Sequence, residues 1–333
     1  MEVLFVGVDT SGSAVHRLFP TWIATFGVDA ELIGVDLPLG SARERYRRLV
    51  AELVRDDEVI GAVVTSHKLS LFDACADLFR EIDRYAAIAR ETNCLWKRGN
   101  RLSAAARDPL ALAAVFAEMV PPSYWRDHGA DVLCLGARGT ATAIAITLVA
   151  EQRRQQPEFS SPAHIVFVDV SKKRLAALRR TVDRISAGGG VECLPVRDQL
   201  GSDDGLCRLP PRSLVINATG LGKDIPGSPV GGAAAFPLDG LVWELNDRGE
   251  LPFLERARRQ QRERHLQLHD GWHYFLHGWF QALSAIFDWP DDGDSFSQFA
   301  EAAQRPPARV ISASRDTSSV RNADEIAAIQ RAK

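Results

Sequence analysis

The sequence predicts an α/β protein with two domains, and three observations support this prediction. Apolar runs of strand length recur along the chain, and stretches with helical periodicity separate most of them. Strands that alternate with helices form parallel sheets with helical crossovers. The chain has 333 residues, more than one core usually holds, and a polar, glycine-containing break at residues 126–131 marks the expected domain boundary.

Eight apolar runs are the expected strands. They span residues 3–8, 30–35, 59–64, 132–135, 165–168, 191–195, 214–216 and 241–245. A helix is expected at residues 109–119, because Pro109 suits a first helical turn and the prolines at 121–122 end the pattern. Residues 306–333 are polar and predict a tail without chemistry.

The composition is that of an ordinary globular protein, with 46% apolar residues, 25% charged residues and a formal net charge of -3. The arginines are scattered at spacings typical of solvated helix faces, so we expect no nucleic-acid partner. The five cysteines include no C-x-x-C pair, which argues against a disulfide framework or a zinc site and favours a reducing compartment. No run is long enough to cross a bilayer and no leader pattern opens the chain, so we expect no membrane partner and a cytoplasmic location.

A glycine-rich turn follows the strand expected at residues 132–135. It reads Gly136-Ala137-Arg138-Gly139-Thr140 and leads into a helical run. A strand, a tight glycine turn and a helix N-terminus place backbone amides and the positive end of the helix dipole against a pyrophosphate. We therefore expect these five residues to bind a dinucleotide cofactor, although an ordinary strand-to-helix turn fits the same pattern. Arg138 stands where the pattern has a second glycine, and it either crowds the phosphates or adds a charge-assisted contact to them.

Asp169 follows the next expected strand, where dinucleotide folds often carry the acid that bonds the adenosine ribose. Such an acid repels a 2′-phosphate, so NAD is the expected cofactor. Lys172, Lys173 and Arg174 leave NADP possible, and the three residues equally suit a solvated first helical turn.

Several short motifs occur in one order between residues 3 and 287. They are Ser11-Gly12-Ser13, Val63-Val64-Thr65-Ser66-His67-Lys68, Glu91-Thr92-Asn93-Cys94, Ala106-Arg107-Asp108-Pro109 and Asn217-Ala218-Thr219-Gly220-Leu221-Gly222. This order resembles the shikimate and quinate dehydrogenase family. The resemblance implies an oxidoreductase that moves hydride between a nicotinamide cofactor and a secondary alcohol of a hydroxylated cyclic carboxylic acid.

The resemblance also implies roles for individual residues. Lys68 and Asp108 fall on the catalytic positions. The substrate-binding positions fall on Ser11, Ser13, Thr65 and Asn93, and the loop under the nicotinamide falls on Asn217, Thr219 and Gly222. Two of these residues have a competing structural role, because Ser13 and Asp108 each precede an expected helix and suit its N-cap.

The sequence departs from the family pattern at three places. The lysine turn is one residue shorter than the family's Asn-Val-Thr-x-Pro-x-Lys and lacks both the Asn and the Pro. Asn246 stands where a substrate-contacting tyrosine is expected. The glutamine of the last helix is absent, and His277 or Gly278 takes its place, so we expect His277 at the pocket. The departures at Asn246 and His277 predict a changed substrate, such as quinate or another cyclitol-like acid, instead of shikimate.

The residue patterns and the resemblance together predict five segments. They are a substrate-binding α/β domain at 1–108, a bridging helix and linker at 109–130, a Rossmann-type doubly wound dinucleotide-binding domain at 131–268, helices that return to the first domain at 269–305 and the polar tail at 306–333. The expected state is a monomer or homodimer. Two other functions remain open: a protein that senses a shikimate-like ligand or a cofactor without turnover, and an oxidoreductase for an unrelated acyclic substrate.

Overall fold

The structure is a computed structural model that describes residues 1–151, 160–185, 190–223, 225–303 and 320–322. The chain divides into two compact units. Residues Met1–Arg107 and Trp279–Lys333 form unit 1, and residues Asp108–Gly278 form unit 2. The predicted tail at 306–333 lies outside the described residues, except for a short strand at Val320–Asn322.

Unit 1 contains a mixed sheet with the strand order β13-β2-β1-β3-β5-β6-β4. The strands are β1 (Glu2–Gly7), β2 (Glu31–Asp36), β3 (Val59–Val64), β4 (Glu81–Ile82), β5 (Cys94–Arg98), β6 (Arg101–Ala105) and β13 (Val320–Asn322). Strand β1 runs parallel to β2 and β3, whereas β5 runs antiparallel to both β3 and β6. The carboxyl ends of β1, β2, β3 and β6 therefore lie at the same edge of the sheet as the start of β5.

Helices cover this sheet, and the last ones come from the end of the chain. They are α1 (Val15–Thr25), α2 (Arg43–Arg55), α3 (Lys68–Cys75), α4 (Arg84–Ala89), the second half of α11 (Trp272–Phe287) and α12 (Gly293–Ala302). The Phe299 ring of α12 stacks on Trp22 of α1 at 4.2 Å between centroids, and Trp279 meets Phe5 edge-on at 5.2 Å. The prediction that the C-terminal helices return to the first domain is confirmed.

Unit 2 is a doubly wound α/β unit with a parallel sheet in the order β12-β11-β10-β7-β8-β9. The strands are β7 (Val132–Leu135), β8 (Ile165–Asp169), β9 (Val191–Pro195), β10 (Leu214–Asn217), β11 (Leu241–Glu244) and β12 (Gln267–His269). The helices are α5 (Asp108–Met119), α6 (Tyr124–His128), α7 (Gly139–Ile146) with a π-helical turn at Thr147–Glu151, α8 (Lys172–Ile185), α9 (Gln199–Cys207), α10 (Pro252–Arg264) and the first half of α11.

All six strands are parallel, but successive strands of the chain are added on one side of β7 up to β9 and on its other side from β10 onward. A crevice forms at such a switch point, outside the carboxyl ends of the strands, and it is where open α/β sheets bind ligands. The sheet is apolar on both faces: Phe116 and Trp243 belong to the core on one face, and Leu133, Phe236 and Phe253 belong to the core on the other. The predicted Rossmann-type doubly wound fold is therefore confirmed.

Candidate functional site

In unit 1, three of the predicted site residues meet at the edge where strands β1 and β3 end and β5 begins. The backbone nitrogen and hydroxyl of Thr65 donate to the Val6 carbonyl at 3.0 and 3.2 Å. The Thr92 nitrogen donates to the Lys68 carbonyl at 3.2 Å, and the Val64 nitrogen donates to the Asn93 carbonyl at 2.8 Å. Residues far apart in the sequence thus share one polar edge, because the parallel strands β1 and β3 end where the antiparallel strand β5 begins.

The serine loop follows β1 at the same edge. Its backbone is tied to β2, because the Thr10 nitrogen donates to the Asp36 carboxylate at 2.9 Å. The exposed Ser11 hydroxyl donates to Asp9 at 2.8 Å, whereas the half-buried Ser13 oxygen accepts from the Val15 nitrogen at 3.4 Å. Ser13 therefore contacts the first turn of α1, and Ser11 bonds Asp9 at an exposed position.

The lysine turn contains a buried histidine that the sequence analysis did not single out. His67 has 2% exposure, and its Nε2 lies 2.9 Å from the Leu37 carbonyl oxygen and 3.3 Å from that of Gly7. A carbonyl oxygen only accepts, so Nε2 carries the hydrogen and Nδ1 accepts from the Tyr46 hydroxyl at 2.9 Å. Burial lowers the pKa of His67, so the neutral ring is favoured. Lys68 follows directly as the first, half-buried residue of α3.

Asn93 and Asp108 are both buried, with 5% exposure each. The Asn93 side-chain oxygen accepts from the Arg107 nitrogen at 2.7 Å, so the amide fixes the chain at the end of β6. Asp108 comes next and is the first residue of α5, with Pro109 in the first turn. Asp108 belongs to unit 2, whereas Lys68 and Asn93 belong to unit 1.

In unit 2, the glycine turn joins β7 to α7 at the switch point. Gly136 has φ +109°, and a Cβ atom there would lie 2.8 Å from the Ala218 carbonyl oxygen, so only glycine fits. The exposed Arg138 precedes α7, and Gly139 and Thr140 form the first turn of that helix. Gly136 and Arg138 line a cleft of about 460 Å³ at this turn.

Asp169 lies at the same cleft, at the end of β8, and its carboxylate holds the glycine turn. One oxygen accepts from the Ala137 nitrogen at 2.9 Å, and the other accepts from the Ser171 nitrogen at 2.7 Å. The Arg174 guanidinium lies 3.4 Å from the second oxygen. Both oxygens thus have protein donors, a role that the sequence analysis did not assign to Asp169.

The loop after β10 is held together by a fully buried asparagine. The Asn217 oxygen accepts from the Thr219 nitrogen at 3.1 Å and from its hydroxyl at 2.7 Å. The Asn217 amide donates to Glu244 at 2.8 Å. Gly222 has φ +90°, and a Cβ atom there would lie 2.7 Å from Pro252. The side chains of Asn217 and Thr219 therefore shape the loop itself, and Thr219 also lines the cleft.

Glu244 is a further buried group that sequence reasoning missed. It ends β11 with 0% exposure, and burial raises its pKa to about 7, against the opposing bonds from Asn246 and Asn217. Asn246 donates its backbone nitrogen to Glu244 at 3.0 Å and its side-chain amide to the Leu221 carbonyl at 3.0 Å. The residue at the expected tyrosine position thus ties two loops together. An acid directly after a run of apolar strand residues was the available signal.

His277 is buried, with 5% exposure, and its partner is Glu118 of α5. Its Nε2 lies 2.8 Å from one carboxylate oxygen, and Nδ1 of His273 lies 2.9 Å from the other. Burial raises the pKa of Glu118, but the bonds to both histidines outweigh it, and the net pKa is lowered. No sequence pattern indicated this partner, because 159 residues separate His277 from Glu118.

Two kinds of feature are absent from the part of the chain that the structure describes. No group of three or more His, Cys, Asp or Glu side chains is placed to hold a metal ion. No described helix has the length and apolar character needed to cross a membrane.

The two units together define a class: an α/β protein with a polar strand edge in one unit and a Rossmann-type crevice in the other. No protein-family model matches the chain, and no curated protein sequence matches it significantly. Solved structures do match, and they have the fold of shikimate and quinate dehydrogenases.

Three of these structures illustrate the match. Shikimate 5-dehydrogenase from Thermus thermophilus, in complex with shikimate, has a TM-score of 0.64 and 19% identity, covering 92% of this chain and 98% of that one. Quinate dehydrogenase from Corynebacterium glutamicum, in complex with NAD, has a TM-score of 0.68 and 18% identity, covering 90% and 99%. A 5-ketofructose reductase from Gluconobacter has a TM-score of 0.62 and 18% identity, covering 90% and 97%. At these identities the likeness shows the fold.

Proposed function

We propose that this protein is an NAD(P)-dependent oxidoreductase that acts on a secondary alcohol of a hydroxylated cyclic carboxylic acid similar to shikimate or quinate. The observation that carries the proposal is that one chain combines the glycine-turn crevice of unit 2 with the polar strand edge of unit 1 that includes Lys68. The sequence motifs that resemble the dehydrogenase family fall on these two places.

The crevice of unit 2 fits a dinucleotide. A side chain at Gly136 would collide with the Ala218 backbone, so glycine allows the tight turn, and the first turn of α7 would offer its amides to a pyrophosphate. Arg138 would add a charge-assisted contact to the phosphates, and the loop from Asn217 to Gly222 would lie under the nicotinamide. When bound, the nicotinamide supplies the hydride acceptor or donor.

NAD remains our proposal for the cofactor, with NADP as the alternative. Asp169 faces the crevice, and an acid there disfavours a 2′-phosphate. Arg174 also lines the crevice and would attract such a phosphate, although it lies 3.4 Å from Asp169. Relatives of this fold are known with either cofactor, since the quinate dehydrogenase holds NAD and a shikimate dehydrogenase from Thermus thermophilus holds NADP(H).

The residues of unit 1 would bind the substrate and move its proton. Ser11 and Ser13 would bond the carboxylate, and Thr65 and Asn93 would bond ring hydroxyls. During oxidation the neutral amine of Lys68 accepts the hydroxyl proton, and in the reverse direction the ammonium donates it. Asp108 falls on the second catalytic position that the family resemblance implies.

The direct test is turnover by the full chain. The protein is incubated with NAD or NADP and a panel of cyclic hydroxy acids that includes shikimate and quinate, while the absorbance of the reduced nicotinamide is followed. We expect cofactor reduction with at least one acid. Binding of cofactor and acid without turnover would support a sensor instead, and turnover only with acyclic alcohols would contradict the substrate class.

Two substitutions test the catalytic pair. We expect Lys68→Ala and Asp108→Asn each to lower kcat by at least about 100-fold, because each removes a group needed for proton transfer. Cofactor affinity, measured by calorimetry, should stay nearly constant. Ser66→Ala, an exposed position in the same turn, is the matched control and should keep normal turnover. Near-normal turnover in either test variant would overturn the assignment.

A further inference from the structure

We propose that His67 is a positioning residue for Lys68, held in place by Tyr46. This inference rests on the proposed function only for its catalytic consequence. The His67 ring fixes the backbone from which the Lys68 side chain starts, and it does so from the buried side of the turn.

The His67 ring joins the ends of three parallel strands. Its Nε2–H donates to the Leu37 carbonyl, just after β2, and lies near the Gly7 carbonyl at the end of β1. His67 itself follows β3. The same Gly7 carbonyl accepts from the Leu37 nitrogen at 2.8 Å, so the two strand ends are also bonded to each other. The ring therefore anchors the lysine turn to the edge that carries the serine loop.

The ring is anchored on its other side as well. Nδ1 accepts from the Tyr46 hydroxyl of α2, and Tyr46 has 1% exposure. With both ring nitrogens bonded and the ring buried, the side chain has a single orientation. An imidazole without these partners would leave buried polar atoms unsatisfied, which costs stability.

The backbone of the turn is held at both residues. The His67 carbonyl accepts from the Leu71 nitrogen at 2.8 Å and starts α3, while the Lys68 carbonyl accepts from the Thr92 nitrogen at 3.2 Å. The family motif that this turn resembles is stiffened by a proline, which is absent here. In this chain the bonded histidine supplies the stiffness, so Lys68 keeps a defined starting point.

Graded variants separate positioning from simple packing. His67→Gln keeps a donor for the Leu37 carbonyl but loses the ring, His67→Leu removes both bonds, and Tyr46→Phe removes only the hydroxyl. We expect kcat to fall by about a hundredfold in His67→Leu and by less in the other two, since a small displacement of a catalytic group costs that much. The cofactor KM should not change. Tyr85→Phe, at a buried tyrosine of α4, is the control and should leave kcat unchanged.

A second readout does not depend on activity. The lysine amines are labelled by reductive ¹³C-methylation, and the Lys68 resonance is assigned with Lys68→Arg. We expect this resonance to shift in each His67 variant and in Tyr46→Phe, while that of Lys97, which bonds the Leu53 and Asp56 carbonyls, stays in place. If the wild-type protein has no turnover but the Lys68 resonance shifts in these variants, the positioning role stands and the proposed function is contradicted. An unchanged resonance and kcat in His67→Gln and Tyr46→Phe, with lowered unfolding free energy, would overturn the inference.

Discussion

The carboxyl group of Glu244 has no exposed surface, and its pKa lies near 7 because burial disfavours the charged form. Its ordinary pKa is 4.5, so the folded state binds more protons than the unfolded state between these values. The free energy of unfolding therefore falls as the pH rises through that window, and the stabilising contribution is complete only below it.

We expect Glu244→Gln to flatten this pH dependence. The variant cannot titrate at this position, so its unfolding free energy should change less than that of the wild type between pH 4.5 and 7. Urea unfolding at a series of pH values measures both slopes. Glu250→Gln, at an exposed position in the next loop, is the control and should keep the wild-type slope. Equal slopes for Glu244→Gln and the wild type would contradict the burial argument.

At the scale of an element, the turn between β7 and α7 depends on a backbone that only glycine adopts without strain. Gly136→Ala places a methyl group 2.8 Å from the Ala218 carbonyl oxygen in a backbone region that side chains disfavour. We expect the free energy of unfolding to fall by about 1–3 kcal/mol and the affinity for NAD or NADP to weaken. Urea unfolding and calorimetry measure the two effects.

The matched control for this turn is Gly232→Ala. No heavy atom lies within 4 Å of a Cβ atom built at Gly232, and its φ is outside the positive range. This variant should therefore unfold and bind cofactor like the wild type. Equal unfolding free energies and equal cofactor affinities for Gly136→Ala and Gly232→Ala would contradict the claim that close packing at Gly136 shapes the crevice.

At the scale of the whole molecule, the two units should respond differently to ligands. A cofactor at a hundred times its Kd stabilises the state that binds it by about 2.7 kcal/mol. The test is hydrogen exchange measured by mass spectrometry. In the presence of NAD or NADP, amide hydrogens in peptides that contain residues 135–140 and 217–222 should exchange more slowly. We expect no change in helix α12 of unit 1. Slower exchange in α12 with no slowing in the glycine turn would contradict cofactor binding in unit 2.

Much of this architecture could be predicted from the sequence, because long apolar runs identify buried parallel strands. Strands β3, β7 and β9 have the predicted bounds. The pair β5 and β6 was not predicted, since Lys97, Arg98 and Arg101 interrupt its apolar pattern around the turn at Gly99. A short, partly charged hairpin gives little periodic signal, and its place in the sheet comes from tertiary contacts.

The candidate site was predictable where order along the chain carried the signal. Thr65, Lys68 and Asn93, to which the motif order assigned roles, lie at one strand edge, and those roles stay predictions. What the sequence could not give was the partners of these groups. The bonds from Asp169 to the glycine turn and from His277 to Glu118 join residues distant in sequence, and only the fold brings them together.

The division of unit 1 into two segments affects how the chain folds during synthesis. The rings of Phe5 and Trp22 are covered by Trp279 and Phe299, which leave the ribosome only after all of unit 2. Unit 2 is continuous in sequence and can complete its own core first, although domains in most nascent chains mature from the N-terminus. Until the helices from Trp279 onward are synthesised, the first 107 residues therefore expose an apolar face, and the nascent chain needs protection from aggregation.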